Sequence, residues 1–230
     1  MGKMEWEKRR RISKDKYRIL FRSFIADIPA CKAAIIAGVN RKTADRYYNL
    51  FRAAIIKAAV KEREEVKLSN GVEIDEAYFG PRRIKGKRGR GAGRKVIVFG
   101  ILKRRGKIYT QIINKVERQE VMPIVRRVVK SGSDIYSDSW RSYDALAVYG
   151  YNHKKVKHER DEFVNNKNRQ IHINGVESYW SWLKRRLAQF NGMRKKQFQR
   201  YLLESEWRFN HRFTLENDLR GLLKQIKINS

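Results

Sequence analysis

The first part of the chain follows a helical pattern of hydrophobic and polar positions. Apolar residues recur every three or four positions across residues 15–66, which predicts a set of packed helices. Gly38-Val39-Asn40 interrupts the pattern as a short turn, and the helix after it is rich in Lys, Arg, Thr and Asn. This arrangement predicts a helix-turn-helix, which either reads DNA or forms a plain helical bundle.

The period changes near residues 69–71, where strand-length runs of β-branched and aromatic residues begin. Three such runs come first, at 72–79, 96–102 and 107–113, and residues 103–106 form a predicted hairpin turn between the last two. The remaining elements are predicted to be helix 117–130, strand 134–138, helix 139–148, strand 153–156, and helices 174–190 and 195–212.

This order of elements predicts an α/β protein with a mixed sheet flanked by helices, because three successive strands precede an alternation of strand and helix. It is the order of the ribonuclease H fold. We therefore expect three parts: a small all-α helix-turn-helix domain at 1–68, a ribonuclease H-like domain at 69–215, and a C-terminal tail at 216–230.

The charge balance indicates a nucleic-acid partner. The 54 Lys and Arg residues exceed the 24 Asp and Glu residues, for a formal net charge of +30. Hydrophobic residues make up 41% of the chain, which is enough for a folded core. The longest apolar run, residues 96–102, is far too short to span a membrane. We expect a cytoplasmic, nucleoid-associated protein with no membrane partner, and the single cysteine, Cys31, excludes zinc sites built on Cys pairs.

A basic, glycine-rich segment separates the first two predicted strands. Eight of the fifteen residues at 81–95 are Lys or Arg and four are Gly, so the segment has little to pack and is suited to lie along DNA phosphates. A solvated charged loop is the alternative. The candidate DNA-binding residues are Lys42, Thr43 and Arg46 in the helix-turn-helix, Arg82, Arg83, Lys85, Lys87, Arg88, Arg90 and Arg94 in the loop, and Lys184 and Arg185 in a later helix.

Two aspartates stand out against this positive charge. Asp75 lies in the middle of a predicted strand, where a carboxylate is unfavourable unless it is paired or bound to metal. Strand alternation puts it on the same face as Glu73, although an edge strand with exposed acids would look alike. Asp138 ends a strand and precedes a helix, a position that suits either a helix N-cap or a site at the carboxyl end of a strand.

A third carboxylate, Glu177, lies on a predicted helix. It follows Asn174 by three residues, which is typical of a capping box, while Lys184 two turns further on would bring a cation to the same face. Each acid alone has a simpler structural explanation. Together, a strand Asp, a strand-end Asp and a helix Glu form the layout of a two-metal phosphodiester site, with carboxylate oxygens that suit Mg²⁺ or Mn²⁺.

Six motifs occur in order along the chain: Asp75–Gly80, Lys87–Gly91, Tyr136–Asp138, His172–Glu177, Trp182–Arg185 and Glu206–His211. They resemble the ISXO-like DDE transposases of bacterial insertion sequences, over about residues 70 to 212. The resemblance implies a ribonuclease H-like catalytic domain and DNA cleavage and strand transfer at terminal inverted repeats. It also implies that Asp75, Asp138 and Glu177 are the catalytic metal ligands.

Two features modify what the resemblance implies. Many relatives carry a Cys-rich zinc ribbon ahead of the helix-turn-helix, which one cysteine cannot form, so end recognition rests on residues 15–66. Some relatives place Asn near the third acid, which makes Asn174 a candidate auxiliary ligand. His172 could orient water or a phosphate, or serve a structural role. Glu177 stays the preferred ligand because an ionised oxygen binds Mg²⁺ better than an amide.

The sequence therefore predicts a metal-dependent DNA transposase that acts on element ends and target DNA. We expect a homodimer or a larger assembly on DNA, because two ends must be joined in one complex. Two alternatives stay open at this point. One is a ribonuclease H-like nuclease or resolvase that only hydrolyses DNA, and the other is a catalytically silent DNA-binding regulator.

Overall fold

The structure, a computed structural model, describes residues 12–80, 95–138, 145–156, 172–190 and 195–225. The chain forms two compact units: a helical unit of residues 1–64 and 203–230, and a sheet unit of residues 65–202. Among the described residues, no helix combines the length and the hydropathy that crossing a membrane requires.

The helical unit is built from three N-terminal helices and a C-terminal pair. Its helices are α1 (Lys14–Ile25), α2 (Ala30–Ala37), α3 (Arg41–Glu65), the second half of α7 (Lys195–Asn210), and α8 (Leu215–Gln225). Ser13 begins α1, because its side-chain oxygen accepts a hydrogen bond from the Lys16 N–H. The helical pattern of the first part of the chain is thus confirmed.

The turn predicted at residues 38–40 separates α2 from α3. Gly38 ends α2 with a φ of 57°, in the left-handed region that glycine adopts without steric penalty. Asn40 then caps α3, since its side-chain oxygen accepts the Lys42 N–H at 2.8 Å. The structure has a helix on each side of the predicted turn.

The core of the helical unit includes residues from both ends of the chain. Phe21, Phe24 and Phe51 are almost fully buried, and Leu219 and Leu223 of α8 belong to the same hydrophobic cluster. The C-terminal helix is therefore part of the core that the N-terminal helices form.

This division of the chain differs from the predicted parts 1–68, 69–215 and 216–230. Residues 215–225, nearly all of them in the expected tail, form α8, and residues 203–230 belong to the helical unit. The physical reason is that α8 has 11 residues and buries only Leu219 and Leu223. A pattern that short does not distinguish a packed helix from a polar tail.

Ion pairs between buried acids and partly buried arginines join α7 to the N-terminal helices. Glu204 is fully buried and accepts hydrogen bonds from Arg52 at 2.6 Å and from Arg208 at 2.9 Å. Glu206 accepts from one nitrogen of Arg63 with both carboxylate oxygens, at 2.9 and 3.1 Å. The first half of the motif at 206–211 is therefore engaged in packing within the helical unit.

We expect Glu204→Gln to destabilise the helical unit by about 3 kcal/mol, because it leaves the buried guanidinium of Arg208 and the partly buried one of Arg52 without their carboxylate. Urea denaturation followed by circular dichroism measures the loss. Glu216→Gln is the matched control, since its ion pair with Arg220 is exposed and contributes about 0.5 kcal/mol. Equal losses in the two variants would contradict a stabilising role for Glu204.

The sheet unit contains one five-stranded mixed sheet. Its elements are β1 (Val72–Phe79), β2 (Val96–Lys103), β3 (Ile108–Ile113), α4 (Arg118–Val128), β4 (Asp134–Ser137), α5 (Ala145–Val148), β5 (Asn152–Lys155), α6 (Asn174–Ala188) and the first half of α7. The strand order is β3-β2-β1-β4-β5. Strands β1 and β2, and β2 and β3, are antiparallel, while β1 and β4, and β4 and β5, are parallel. This confirms the predicted ribonuclease H-like mixed sheet flanked by helices.

The two faces of the sheet have different partners. On one face, Val72 and Ile74 of β1 join a hydrophobic cluster that includes Val121 of α4. On the other face, Glu73 and Asp75 accept hydrogen bonds from α6. Successive side chains of a strand point to opposite faces, so β1 presents apolar residues to α4 and carboxylates to α6. The prediction that Glu73 and Asp75 share a face is confirmed.

Candidate active site

Asp75 lies at the centre of the sheet and is held by α6. Its Oδ2 accepts a hydrogen bond from the indole Nε1 of Trp180 at 3.0 Å. Gly100 of β2 pairs directly with Asp75 and makes room for this indole. A Cβ at that glycine would lie 2.5 Å from the Trp180 ring, so any side chain there would displace Trp180. The glycine in β2 and the tryptophan in α6 together set the direction of one carboxylate oxygen.

The surroundings of Asp75 disfavour its negative charge. Burial, together with the neighbouring negative charges of Glu76 and Asp138, raises the pKa of Asp75 from its ordinary value of 3.8 to about 7. A backbone hydrogen bond and the Trp180 hydrogen bond act in the opposite direction. A carboxylate in this position is suited to a cation, which would restore the ionised form at neutral pH.

Asp138 lies next to Asp75 because of the parallel register between β1 and β4. Val72 pairs with Ile135, and the same offset of 63 residues separates Asp75 from Asp138. Asp138 follows the last residue of β4, at the carboxyl end of an inner strand. Its negative charge contributes to the raised pKa of Asp75. The structure thus brings together two of the three predicted acids.

The helix that Asp138 was expected to cap would begin at residue 139. Residues 139–144 lie outside the described residues, so the capping alternative for Asp138 stays a prediction.

Glu177 lies in the first turn of α6, and its side chain is exposed. The N-cap residue of α6 is Ile173, whose apolar side chain makes no capping hydrogen bond among the described residues. Asn174 is the first helical residue rather than the cap, so the predicted capping box is not formed. In sequence, Glu177 lies between Val176 and Trp180, and both of these residues donate an N–H group to β1.

The described residues contain no group of three Asp, Glu, His or Cys side chains close enough to hold a metal ion. Asp75 and Asp138 are together, and Glu177 is not joined to them in this arrangement. The auxiliary candidates lie at the start of α6: Asn174 is exposed, and the Nδ1 of His172 is 3.6 Å from Glu73 Oε1.

The comparisons with known proteins decide the family. Residues 67–210 of this chain match the family described as "ISXO2-like transposase domain". The chain belongs to this family. A relative from Haemophilus influenzae, named an "uncharacterized transposase-like protein", is 41% identical over 105 residues, which are 46% of this chain and 82% of the relative.

Two solved structures of Mos1 also align with this chain. A strand transfer complex aligns with 99% of this chain and 80% of its own chain, at 12% identity and a TM-score of 0.29. A pre-cleavage transpososome aligns with 99% and 81%, at 11% identity and a TM-score of 0.27. At these TM-scores the likeness carries no argument about this chain.

The ISXO2-like match extends into the helical unit. Residues 203–210 belong to both the match and that unit, and they include the buried acids Glu204 and Glu206. The last helix of the family domain is therefore also a structural part of the helical unit.

Three side chains of the ISXO2-like domain were not among the predicted site residues. Glu73 is buried beside Asp75 and accepts a hydrogen bond from Arg104 at 2.9 Å. Trp180 donates a hydrogen bond to Asp75. The sequence offered one signal, the shared strand face of Glu73 and Asp75. Arg104 was predicted only as part of a hairpin turn, and its role depends on a contact between distant parts of the chain.

The predicted DNA-binding residues fall into three groups. In the first turns of α3, Lys42 and Arg46 are exposed and Thr43 is partly exposed. On α6, Lys184 and Arg185 are exposed. The loop residues lie outside the described residues; they are Arg82, Arg83, Lys85, Lys87, Arg88, Arg90 and Arg94.

We expect the stability of the chain in metal-free buffer to fall as Asp75 ionises. Its folded-state pKa is raised above the unfolded value, so the stability that the protonated form contributes is lost as the pH rises towards about 7. Asp75→Asn removes the buried charge, so its free energy of unfolding relative to wild type should increase by about 2 kcal/mol from pH 5 to pH 8.

Urea denaturation at both pH values measures this gain. Asp45→Asn is the matched control, because that carboxylate lies on the exposed surface of α3. A gain for Asp75→Asn that does not change with pH would contradict the raised pKa.

Proposed function

We propose that this family member is a metal-dependent DNA transposase that cuts DNA at element ends and joins the freed 3′-hydroxyl to target DNA. The observation that carries the proposal is the proximity of Asp75 and Asp138, which follows from the parallel register of β1 and β4 at the centre of the sheet. Two adjacent carboxylates, one of them with a raised pKa, form a site for a divalent cation inside a chain of net charge +30.

Asp75, Asp138 and Glu177 would hold Mg²⁺ or Mn²⁺, since these ions prefer carboxylate oxygens. The bound metal would supply activation of the attacking oxygen and stabilisation of the leaving one. We assign the third ligand to Glu177 because it lies on α6 between two residues that bind β1, Val176 and Trp180. Asn174 and His172 remain auxiliary candidates near the same helix end.

The other side chains would bind and orient DNA. Trp180 holds one oxygen of Asp75, so the carboxylate presents a defined edge to the metal. The exposed cations Lys184 and Arg185 on α6 would contact the phosphate backbone near the acids. The basic loop at 81–95 would follow the backbone further along the duplex.

Recognition of the element ends is assigned to the helix-turn-helix of α2 and α3. Lys42, Thr43 and Arg46 lie at the start of α3, where a recognition helix presents its side chains to base edges. The partners we propose are the terminal inverted repeats and the target DNA, bound by a homodimer or a larger assembly in the cytoplasm, on the nucleoid.

We expect Asp75→Asn, Asp138→Asn and Glu177→Gln each to slow cleavage of end-containing DNA by roughly 100-fold or more, because each removes several kcal/mol of metal-based stabilisation. Cleavage and joining of labelled DNA in Mg²⁺ or Mn²⁺ measure the loss. Glu117→Gln, an exposed acid of the sheet unit, should retain wild-type rates. Its side chain makes no capping hydrogen bond among the described residues of α4.

Three results would contradict the proposal in different ways. Cleavage without joining would indicate a nuclease or resolvase. Tight DNA binding without cleavage in the wild type would indicate a regulator. Unchanged cleavage in all three acid variants would show that the acids are wrongly assigned.

We expect Lys184→Gln to weaken DNA binding and to reduce the slope of log affinity against log salt concentration by about 0.9, the value for one lost phosphate contact. Fluorescence anisotropy at several salt concentrations measures the slope. Lys130→Gln removes the same charge from an exposed position after α4 and should leave the slope unchanged. The same slope change in both variants would show that Lys184 makes no specific phosphate contact.

A further inference from the structure

Arg104, in the turn between β2 and β3, contacts three separate segments of the sheet unit. Its Nε donates to Glu73 Oε1 at 2.9 Å, and its Nη2 donates to the backbone oxygen of His172 at 2.6 Å. The guanidinium carbon lies 3.6 Å from the centre of the Tyr136 ring. A planar guanidinium has directional donors and a flat face, so it can bind a carboxylate and a carbonyl while it stacks on a ring.

These three segments are the ones that carry the proposed metal ligands. Glu73 precedes Asp75 by two residues in β1. Tyr136 lies in β4 and precedes Asp138, which follows the strand, by two residues. His172 precedes Glu177 by five residues, at the entrance to α6. One side chain thus touches the chain close to every proposed ligand.

Glu73 extends the contact to the N-terminus of α6. Its second oxygen, Oε2, accepts the N–H of Val176 at 2.9 Å. The first N–H groups of a helix need acceptors, and the local cap Ile173 supplies no side-chain hydrogen bond among the described residues. A carboxylate from the neighbouring strand therefore caps α6 and complements the positive end of the helix dipole.

Gly175 makes this approach feasible. A Cβ at position 175 would lie 2.7 Å from Glu73 Oε2 and 2.9 Å from a methyl group of Leu102. Any other residue would displace Glu73, Leu102 or α6. Glu177 follows Gly175 by two positions in α6. The distance between α6 and β1 therefore fixes the position of the Glu177 backbone relative to β1.

The pair is also an electrostatic unit. Glu73 is 1% exposed, and a carboxylate so buried is unfavourable unless cations or N–H groups surround it. Arg104 and the N-terminus of α6 both supply that compensation. The backbone N–H of Arg104 also donates to the backbone oxygen of Gly71 at 2.9 Å, which anchors the arginine at the start of β1.

We propose that Arg104 and Glu73 form a positioning pair that holds together the segments bearing Asp75, Asp138 and Glu177, the proposed metal ligands. This inference rests on the proposed function. Neither side chain is assigned to the metal or to DNA. The pair acts through the backbone segments it joins.

The test compares Arg104→Gln with Arg105→Gln in the full chain. The two arginines are adjacent in one turn and carry the same charge, but Arg105 is exposed. Isothermal titration calorimetry with Mn²⁺ alone measures metal affinity, and single-turnover cleavage at saturating DNA measures the rate. We expect Arg104→Gln to bind Mn²⁺ about 10- to 100-fold more weakly and to cleave more slowly, as for other residues that orient metal ligands. Arg105→Gln should match wild type in both.

Two further variants separate positioning from folding. Arg104→Lys keeps a cation beside Glu73 and loses the guanidinium fork, so we expect a folded protein whose Mn²⁺ affinity lies between those of Arg104→Gln and wild type. Gly175→Ala should weaken Mn²⁺ binding by displacing Glu73. Its matched control is Gly221→Ala in α8, where no described heavy atom lies within 4 Å of the added methyl group.

The outcomes are distinct. If wild type binds Mn²⁺ and cleaves DNA while Arg104→Gln equals Arg105→Gln in Mn²⁺ affinity and rate, the positioning inference is overturned and the proposed function stands. A loss of urea stability in Arg104→Gln with unchanged Mn²⁺ affinity would also overturn it, since the pair would then be only structural. If wild type neither binds Mn²⁺ nor cleaves, the proposed function itself fails.

Discussion

The arrangement of the sheet unit depends on one buried carboxylate, Glu73, between β1 and the N-terminus of α6. It receives the Val176 N–H on one oxygen and the Arg104 guanidinium on the other. Together with the hydrogen bond from Trp180 to Asp75, this gives α6 two points of attachment on β1, one helical turn apart. Because side chains at positions 73 and 75 lie on the same strand face, the helix and the acidic strand have a defined register.

Both units balance buried acids with arginine. In the helical unit, Arg52 and Arg208 surround Glu204, and in the sheet unit Arg104 accompanies Glu73. Asp75 differs from these acids, because the hydrogen bonds described for its side chain come from neutral donors, a backbone N–H and the Trp180 indole, and its pKa is raised to about 7. A carboxylate kept in this condition is suited to an added cation, which is the physical basis for the proposed metal site.

The part of the chain that matches the family includes residues of both units. The ISXO2-like match ends at residue 210, but its last residues pack in the helical unit with helices from the start of the chain. The motif at 206–211 thus contributes Glu206 to an ion pair with Arg63 rather than to the acid pair of the sheet. A motif shared with a family of enzymes can therefore reflect packing as well as chemistry.

The sequence by itself determined most of the helices and strands up to residue 212, the mixed sheet and the shared face of Glu73 and Asp75, because hydrophobic periodicity reports which side of each strand or helix is buried. Its spacing of 63 residues between Asp75 and Asp138 acquired meaning only when the register of β1 and β4 placed them side by side. The contacts of Arg104, the space that Gly100 leaves for Trp180, and the packing of α8 were decided by the tertiary structure. These contacts join residues at no regular sequence offset, so a local pattern carries no record of them.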